Sequence, residues 1–526
     1  MTDRDNQPDQ SRSDQSQSDQ SAVIAFLSDP ASHGGEAPRI IKTHAAVLFV
    51  AGNDAYKLKR AVRLPYLDFT TRAERERVCR REIELNRRTA PDIYLGSIAV
   101  TREASGGLAL GGRGEAVDWV VHMRAFDPAA TLDHALRHAP LSDDEAETLA
   151  SEIAAMHEGA AMARVSDGAE RIARIARQNI ADLREAASIV AASDLDRLDD
   201  GVSRMLERVG PLLDLRAREG QVRRCHGDLH LGNVARIGGR PVIFDALEFD
   251  EEMATIDVMY DLAFLLMDCW QSGQQDLANA LLNRWIALRS EDADLDGLAA
   301  LPLFLSMRAA VRAKVWAVRA EEAAGQAADE AREQVQAYLD TALNMLAPSP
   351  PVLLAVGGFS GSGKSVIARS AAPRIAPPPG AVVLRSDQIR KALAGVGETE
   401  RMPEASYTRA ASDRVYAELR RRAGTILRAG HSVVADAVHG RDEERDAIGA
   451  TARAAGAAFA GVWITAPPGV LKSRAAARSG DASDATPEIV ERQLRTLSEP
   501  ARWTHIDNSG AVEDAVRGAL AVLDAD

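Results

Sequence analysis

The sequence predicts two domains of different class in one chain: an α+β bilobal domain, then an α/β domain built on a parallel sheet. Three observations predict it. Strand-like alternation fills the stretch up to about residue 126, and helical patterning takes over from Ser142. The Pro/Ser cluster "LAPSPP" ends the helical region, as prolines do. Beyond it the apolar runs "VLLAVGG", "AVVLRSD", "SVVADAV" and "FAGVWITA" alternate with helical stretches, the pattern of a sheet covered on both faces. A chain of 526 residues is also too long for a single core.

Taken in order, residues 1–21 are rich in Asp, Gln and Ser and too polar to repay ordering, so they read as a disordered tail. Residues 22–348 form the first domain, with a small β-rich lobe to about residue 122 and a large helical lobe after it. "HAAVLFVAGNDAYKLKRAV" reads as a hairpin turning at Gly52-Asn53-Asp54, and "TRAERERVCRREIELNRRT" as a charged helix. Residues 349–526 form the second domain.

Composition narrows the class. Hydrophobic content of 46% with 27% charged residues is that of a soluble globular protein, and the net charge of -14 argues against coating nucleic acid. Cys79, Cys225 and Cys269 form no CxxC pair and suit a reducing compartment. The most apolar run, "MYDLAFLLMDCW", is interrupted by Asp261 and Asp268 and is too short to span a bilayer. The expectation is a cytoplasmic protein with no membrane partner.

In the second domain, "GGFSGSGKS" is a complete G-x-x-x-x-G-K-[ST] pattern between an apolar strand and a helix. Gly358, Ser360, Gly361, Ser362 and Gly363 wrap phosphates with backbone N–H groups. Lys364 reaches the β/γ-phosphates, and Ser365 offers a hydroxyl to Mg²⁺. Asp387 and Asp436 end two of the apolar runs, where sheets of this kind bind ligands. Asp387 is expected to act as general base and Asp436 to face the metal. Arg474 and Arg478, four apart on one helix face, would neutralise charge on the transferring group.

"GGFSGSGKS", "RSDQIRK", "SVVADAV" and "RAAARSGDASDA", in that order, resemble P-loop (AAA-type) kinases of small molecules and polynucleotide ends, including gluconate-kinase-like and zeta-toxin-like proteins. The resemblance covers 351–526. It implies a P-loop NTPase fold, with Asp387 as base, Arg390 as a substrate contact, and Arg474 and Arg478 as lid residues.

In the first domain the telling stretch is "RRCHGDLHLGNVAR", 223–236. His226, Asp228 and His230 alternate, but Asn233 is a poor zinc ligand and no Cys or His partner follows. Nor is there a Ser or Cys for a histidine to activate. Phosphoryl transfer fits better. Asp228 and Asn233 stand five apart, the spacing of a base and a metal ligand on one catalytic loop, and Asp245 ends the next strand as a second metal carboxylate. Lys57 and Lys59 share a strand face; Lys57 is preferred as the phosphate lysine, with Glu82 as its helix partner.

"HGDLHLGN", "IFDALEFD" and "DLAFLLMD" together resemble the aminoglycoside phosphotransferase family, which includes choline- and sugar-kinase-like relatives. The resemblance implies a protein-kinase-like fold, adenine near "VVHMRAF", and Asp261 buttressing the catalytic loop. The chain departs from the wider pattern in lacking G-x-G-x-x-G and in reading Asp-Ala-Leu-Glu at the metal motif, which leaves open whether Glu248 joins the metal site. The order of parts resembles bacterial two-domain predicted kinases.

Arg308, Arg312 and Arg319 fall within about 40° of one another on a helix. They are expected to line a cleft for an anionic acceptor, or else to form a solvated basic face pairing with Glu321 and Glu322. The function expected is therefore an ATP- and Mg²⁺-dependent kinase with two sites, each acting on a small-molecule hydroxyl. Its rivals are a polynucleotide 5′-end kinase in the second half, an ATP-binding regulator with one inactive domain, and an antibiotic-resistance enzyme.

Overall fold

The computed structural model describes residues 20–523 apart from 65–66, 187, 290, 399 and 478–481. The tail read to residue 21 therefore lies outside the described residues except for its last two, which already stand in a helix over 20–28. Gln20 is buried there: its amide donates to Lys59 O at 2.7 Å and accepts from Ala61 N at 2.6 Å. The chain divides into two compact units. One runs to Ala163 and resumes over Arg223–Ile256; the other holds Arg164–Val222 and everything from Asp257.

The first unit is built on six antiparallel strands: β1 (Arg39–Lys42), β2 (Ala46–Ala51), β3 (Asp54–Lys59), β4 (Tyr94–Arg102), β5 (Leu108–Leu110) and β6 (Glu115–Arg124). Their order is β1-β2-β3-β6-β4-β5. The expected hairpin turns at Gly52, where φ is 55°. Period-two alternation then sends Phe49, Leu58 and Val120 to one face, against Val23 and Leu27 of the first helix.

The opposite face receives α1 (Arg72–Asn86), whose N-cap Thr71 accepts from Glu74 N. The buried stripe of α1 is only partly apolar: Val78, Cys79 and Ile83 share it with Arg75, Glu82 and Asn86. After α2 (Asp143–Glu158), which opens with a Ser142–Glu145 capping box, the unit resumes with the hairpin β7 (Val234–Ile237) and β8 (Arg240–Ile243).

The second unit begins with the helices α3 (Gly168–Glu185), α4 (Ala192–Arg218), α5 (Val258–Gln271), α6 (Gln275–Arg289), α7 (Leu301–Glu322) and α8 (Gln326–Met345). A buried ionic knot joins α4 to α5. Arg216 Nε and Nη2 reach the two oxygens of Asp257 at 2.7 and 2.8 Å, and Asp294 stands 3.8 Å away.

From β9 (Val352–Gly358) onward the unit alternates strand and helix: α9 (Lys364–Ala371), β10 (Val382–Arg385), α10 (Ser386–Ala394), α11 (Arg409–Arg428), β11 (Val433–Asp436), α12 (Asp442–Ala454), β12 (Ala458–Thr465), α13 (Pro468–Ala476), α14 (Pro487–Thr496), β13 (Thr504–Asp507) and α15 (Val512–Ala521). All strands are parallel, in the order β10-β11-β9-β12-β13. Leu354, Val356, Ile367, Val434 and Val462 form the core beneath the phosphate loop.

All three cysteines are buried and none forms a disulfide. Among the described residues no helix is long and apolar enough to cross a membrane.

Removing one partner of the buried Arg216–Asp257 pair strands a charge in the interior, which costs about 3–5 kcal/mol. Asp257→Ala is therefore expected to lower the guanidinium midpoint sharply, read by fluorescence of the buried Trp285. Asp199→Ala, which breaks an exposed pair with Arg184, is expected to cost at most about 1 kcal/mol.

Candidate active sites

In the first unit, strand alternation points Lys57 and Lys59 toward α1, where Glu82 takes both. Lys57 Nζ lies 2.9 Å from Glu82 Oε1, and Lys59 Nζ lies 2.5 Å from Oε2. Each lysine has a second carboxylate: Lys57 reaches Asp245 Oδ1 at 2.7 Å, and Lys59 bonds Glu248. The Lys59 side chain is 3% exposed and the Lys57 side chain 18%, while Asp245 is 40% exposed. Lys57 and Asp245 thus form the solvent-facing end of the cluster and Lys59 its buried end.

Burial alone would lower the Lys57 pKa, but Asp245, Glu82 and Glu248 outweigh it and raise it well above the ordinary lysine value. Burial acts to raise Asp245, yet Lys57 overrides it and holds that carboxyl below its usual range. Glu248 shifts upward because burial outweighs Lys59.

Asp245 sits in the left-handed region at φ 61°, a conformation aspartate tolerates better than most residues. Its N–H donates to Tyr94 Oη at 3.1 Å, and Ala246 N donates to Asn86 Oδ1 at 2.8 Å. On the loop before it, Asn233 Nδ2 donates to Asp228 O and Oδ2 at 2.9 and 3.1 Å, which leaves the Asn233 amide oxygen for another partner. Gly227 (φ 88°) makes the bend, where a Cβ would lie 2.9 Å from that of Ala254.

His226 is a scaffold residue: it pairs with Phe244 O at 3.0 Å and accepts from Asp228 N. His230 accepts from Gly232 N. The cluster sets two lysines against Glu82, Asp245 and Glu248, with Asp228 acting on Asp245 as well, so hard oxygen donors and excess negative charge fit a divalent cation.

In the second unit β9 runs into the phosphate loop. Gly361 has φ 82°, and a Cβ there would meet Leu471 O at 2.3 Å. Ser360 N donates to Gln493 Oε1 at 2.8 Å, and Asn508 Nδ2 donates to Ser362 O at 2.7 Å, so the loop is pinned from both sides. Arg474 Nη2 donates to Asn508 O at 3.0 Å, its other terminal nitrogen lying against Gly363.

Strand register puts Asp436 beside Val356 and Arg385 at the carboxyl end of the sheet. Arg385 Nε lies 3.3 Å from Asp436 Oδ2. Ser362 Oγ and Asp436 Oδ1 are buried with no hydrogen-bond partner among the described residues. Orphaned oxygens beside a glycine cradle fit a phosphate-bound metal ion.

Lys364 is buried at the first turn of α9 with Ser365 beside it, and Asp387 is half-buried in the first turn of α10. Arg390 donates to Ser406 O at 3.1 Å and stacks over Tyr407 at 5.0 Å.

The structure corrects part of the expected arginine stripe. Arg308 turns into the helical core: its Nε donates to Tyr260 O at 3.1 Å, and its guanidinium lies 3.9 and 4.7 Å over Tyr260 and Phe264. Arg312 stacks on Tyr338 at 5.7 Å, and only Arg319 of the three is exposed. The helical spacing is real, but the face packs against α5 and α8, where planar guanidinium groups stack on aromatic rings. Arg478 lies outside the described residues. Sequence reasoning missed Tyr94, Asn86, Arg385, Gln493 and Asn508; the nearest signal was Asn86, one turn from Glu82 on α1.

Gly361→Ala is expected to weaken nucleotide binding at the phosphate loop by at least about tenfold, since the clash is with backbone and φ is positive; calorimetric titration with ATP·Mg²⁺ checks it. Burial also depresses His431 and His439 to about 4. The unfolded chain binds those protons near 6.5 while the fold refuses them. Stability should therefore decline as pH falls from about 6.5 toward 4, and His439→Gln should flatten that slope in thermal melts.

A phosphotransferase enzyme family model matches residues 119–301, and an AAA domain model matches 353–500. An uncharacterized protein of Mycobacterium tuberculosis is 32% identical over 483 residues, 90% of this chain and 93% of that protein, and one of Mycobacterium bovis matches with the same figures. Among solved structures, a gluconokinase from Sinorhizobium meliloti 1021 is 24% identical over 33% of this chain and 93% of its own, with a TM-score of 0.25. A choline/ethanolamine kinase family protein from Mesorhizobium loti is 15% identical over 62% of this chain and 99% of its own, with a TM-score of 0.37. The chain belongs to the family of these mycobacterial proteins, and in this chain a protein-kinase-like phosphotransferase part precedes a P-loop kinase-type part.

Proposed function

We propose that the chain is a bifunctional kinase with two separate ATP·Mg²⁺ sites, each transferring the γ-phosphoryl group to a small-molecule hydroxyl. The observation that carries the reading is twofold: one half sets Lys57 against Glu82 and Asp245 beside the bonded pair Asn233–Asp228, and the other sets a glycine cradle beside the unpartnered oxygens of Ser362 and Asp436.

In the first site Lys57 holds phosphate, since it occupies the open end of the cluster while Lys59 is sealed beneath it. Asn233 and Asp245 hold the metal, and Asp228 takes the proton of the acceptor hydroxyl. The bond from Asn233 to Asp228 keeps both residues aimed across the loop. In the second site backbone N–H groups of 358–363 and Lys364 cradle the phosphates, Ser365 and Asp436 serve the metal, and Asp387 is the base. Arg390 and Arg474 contact acceptor and nucleotide. Magnesium, when bound, neutralises charge on the phosphoryl oxygens. Stacking of Arg308 and Arg312 in the helical core withdraws support from an anionic acceptor at the first site.

The test is phosphorylation by the purified chain of a panel of sugars, polyols, amino alcohols, aminoglycosides and 5′-hydroxyl oligonucleotides with labelled ATP. Asp228→Ala is expected to lower one set of products by about 10²–10⁴-fold, and Lys364→Ala to remove the other set. A product that survives both changes is made by neither site, and the reading falls.

A further inference from the structure

By family match α6 belongs to the phosphotransferase part and α10 to the AAA-domain part, yet both lie in the second compact unit. β10 is an edge of the parallel sheet, and an edge strand presents unpaired N–H and C=O groups. α6 meets that edge with Asn279 and Asn283. Both amides donate to Ala381 O, at 3.0 and 3.2 Å, and Asn283 Oδ1 accepts from Val383 N at 2.6 Å. A carboxamide carries the same donor and acceptor as a peptide group, so α6 stands in for a neighbouring strand.

One residue further, Arg284 Nη1 reaches Glu398 Oε2 at 2.5 Å. Glu398 follows α10 and is bound back onto it. Its Oε1 accepts from Gln388 Nε2 at 2.5 Å, and its carbonyl accepts from the buried Lys391 Nζ at 2.6 Å. Gln388 adjoins Asp387. The charge of Arg385 also acts on Glu398, and Arg385 in turn bonds the metal-facing Asp436. Glu398 is thus a node tying α6 to the first turn of α10, which carries Asp387, and it lies within reach of the charge of Arg385, the partner of Asp436.

Contacts that merely hold the two parts together occur at the exposed rim, as Arg374–Asp276 at 3.2 Å and Arg421–Asp292 at 2.8 Å. Arg284 instead reaches the helix that carries the base through Glu398, which is bonded to Gln388 in its first turn.

We propose that Arg284, supplied by the phosphotransferase part, is a positioning residue of the P-loop site: through Glu398 it fixes the first turn of α10 and so aims Asp387 at the acceptor. The second site is then complete only with α6 in place. The inference rests on the reading of the P-loop half as a kinase.

The experiment uses the full chain carrying Asp228→Ala, with Arg284→Met, Arg284→Lys and Glu398→Gln added singly. Two quantities are read: ATP turnover with the acceptor panel and with water, and amide hydrogen exchange over 386–394. Arg284→Met and Glu398→Gln are expected to lower kcat about tenfold, as small misplacements of a catalytic group do. ATP KM should stay within about twofold, exchange in α10 should quicken, and the melting point should hold. Arg284→Lys should restore most of the loss.

Unchanged kcat and unchanged exchange in Arg284→Met would overturn the proposal. So would a joint shift of ATP KM and melting point that Lys does no better than Met to prevent, since that marks a purely structural contact. If Lys364→Ala leaves ATP turnover intact, the kinase reading itself fails and Arg284 loses its catalytic role; the exchange data then still report whether it holds α10.

Discussion

Glu82 is the constraint on which the first site depends. A carboxylate with no exposure is tolerated only when cations occupy its oxygens, and here two lysines from one strand do so. That requirement fixes three things together. The face of β3 that bears Lys57 and Lys59 must look toward α1. The helix must set Glu82 one turn from Asn86, which accepts from Ala246 N. The chain beyond the β7–β8 hairpin must then bring Asp245 back to the half-buried Lys57. The left-handed backbone at Asp245 follows from this closure, since Tyr94 and Asn86 hold the consecutive N–H groups at 245 and 246. Charge matching in the interior thereby becomes geometry at the surface: the buried pair Lys59–Glu248 anchors the open pair Lys57–Asp245.

The P-loop site solves a similar problem with backbone in place of side-chain charge. Its anion-binding groups are peptide N–H dipoles, so the sequence must supply glycines where side chains would collide with Leu471 O or Asn508. The surrounding side chains act on the loop's own backbone: Gln493 takes Ser360 N, and Asn508 gives to Ser362 O. Among the described residues Ser362 Oγ, Asp436 Oδ1, Arg474 Nη1 and Asn508 Oδ1 remain buried without a partner around the loop, and on the proposed function the first two would serve phosphate and metal. An interior polar atom without a partner costs roughly 1–3 kcal/mol, a cost that binding of those groups would offset.

Much of this was legible because the chemistry is written in short spacings. The five-residue step from Asp228 to Asn233 and the pattern 358–365 need no tertiary knowledge, and strand alternation alone put Lys57 and Lys59 on one face. What was hidden depends on which helix face packs inward. Arg308 and Arg312 have the periodicity of a basic stripe, and periodicity cannot tell a solvated face from one stacked on Tyr260, Phe264 and Tyr338. Arg75, which pairs in the interior with Asp118 at 2.8 Å, was hidden for the same reason, in a helix that reads as uniformly charged. Tyr94, Gln493 and Asn508 act on backbone groups far away in sequence, a relation no local pattern records.

The division of the chain into compact units departs from the division into families, and the edge of the parallel sheet explains why. β10 has a partner strand on one side only. Left bare, its far side would expose peptide groups to water or to another chain. The asparagines of α6 satisfy Ala381 O and Val383 N, and only the residues between Met345 and Val352 separate α8 from β9. With a connection that short and an edge that needs covering, the P-loop part is not a bead on a flexible string. Its sheet is finished by a helix of the preceding part. A residue on that helix, one position past the second asparagine, is then bound to fall near the strand's carboxyl end, which is where sheets of this class keep their chemistry.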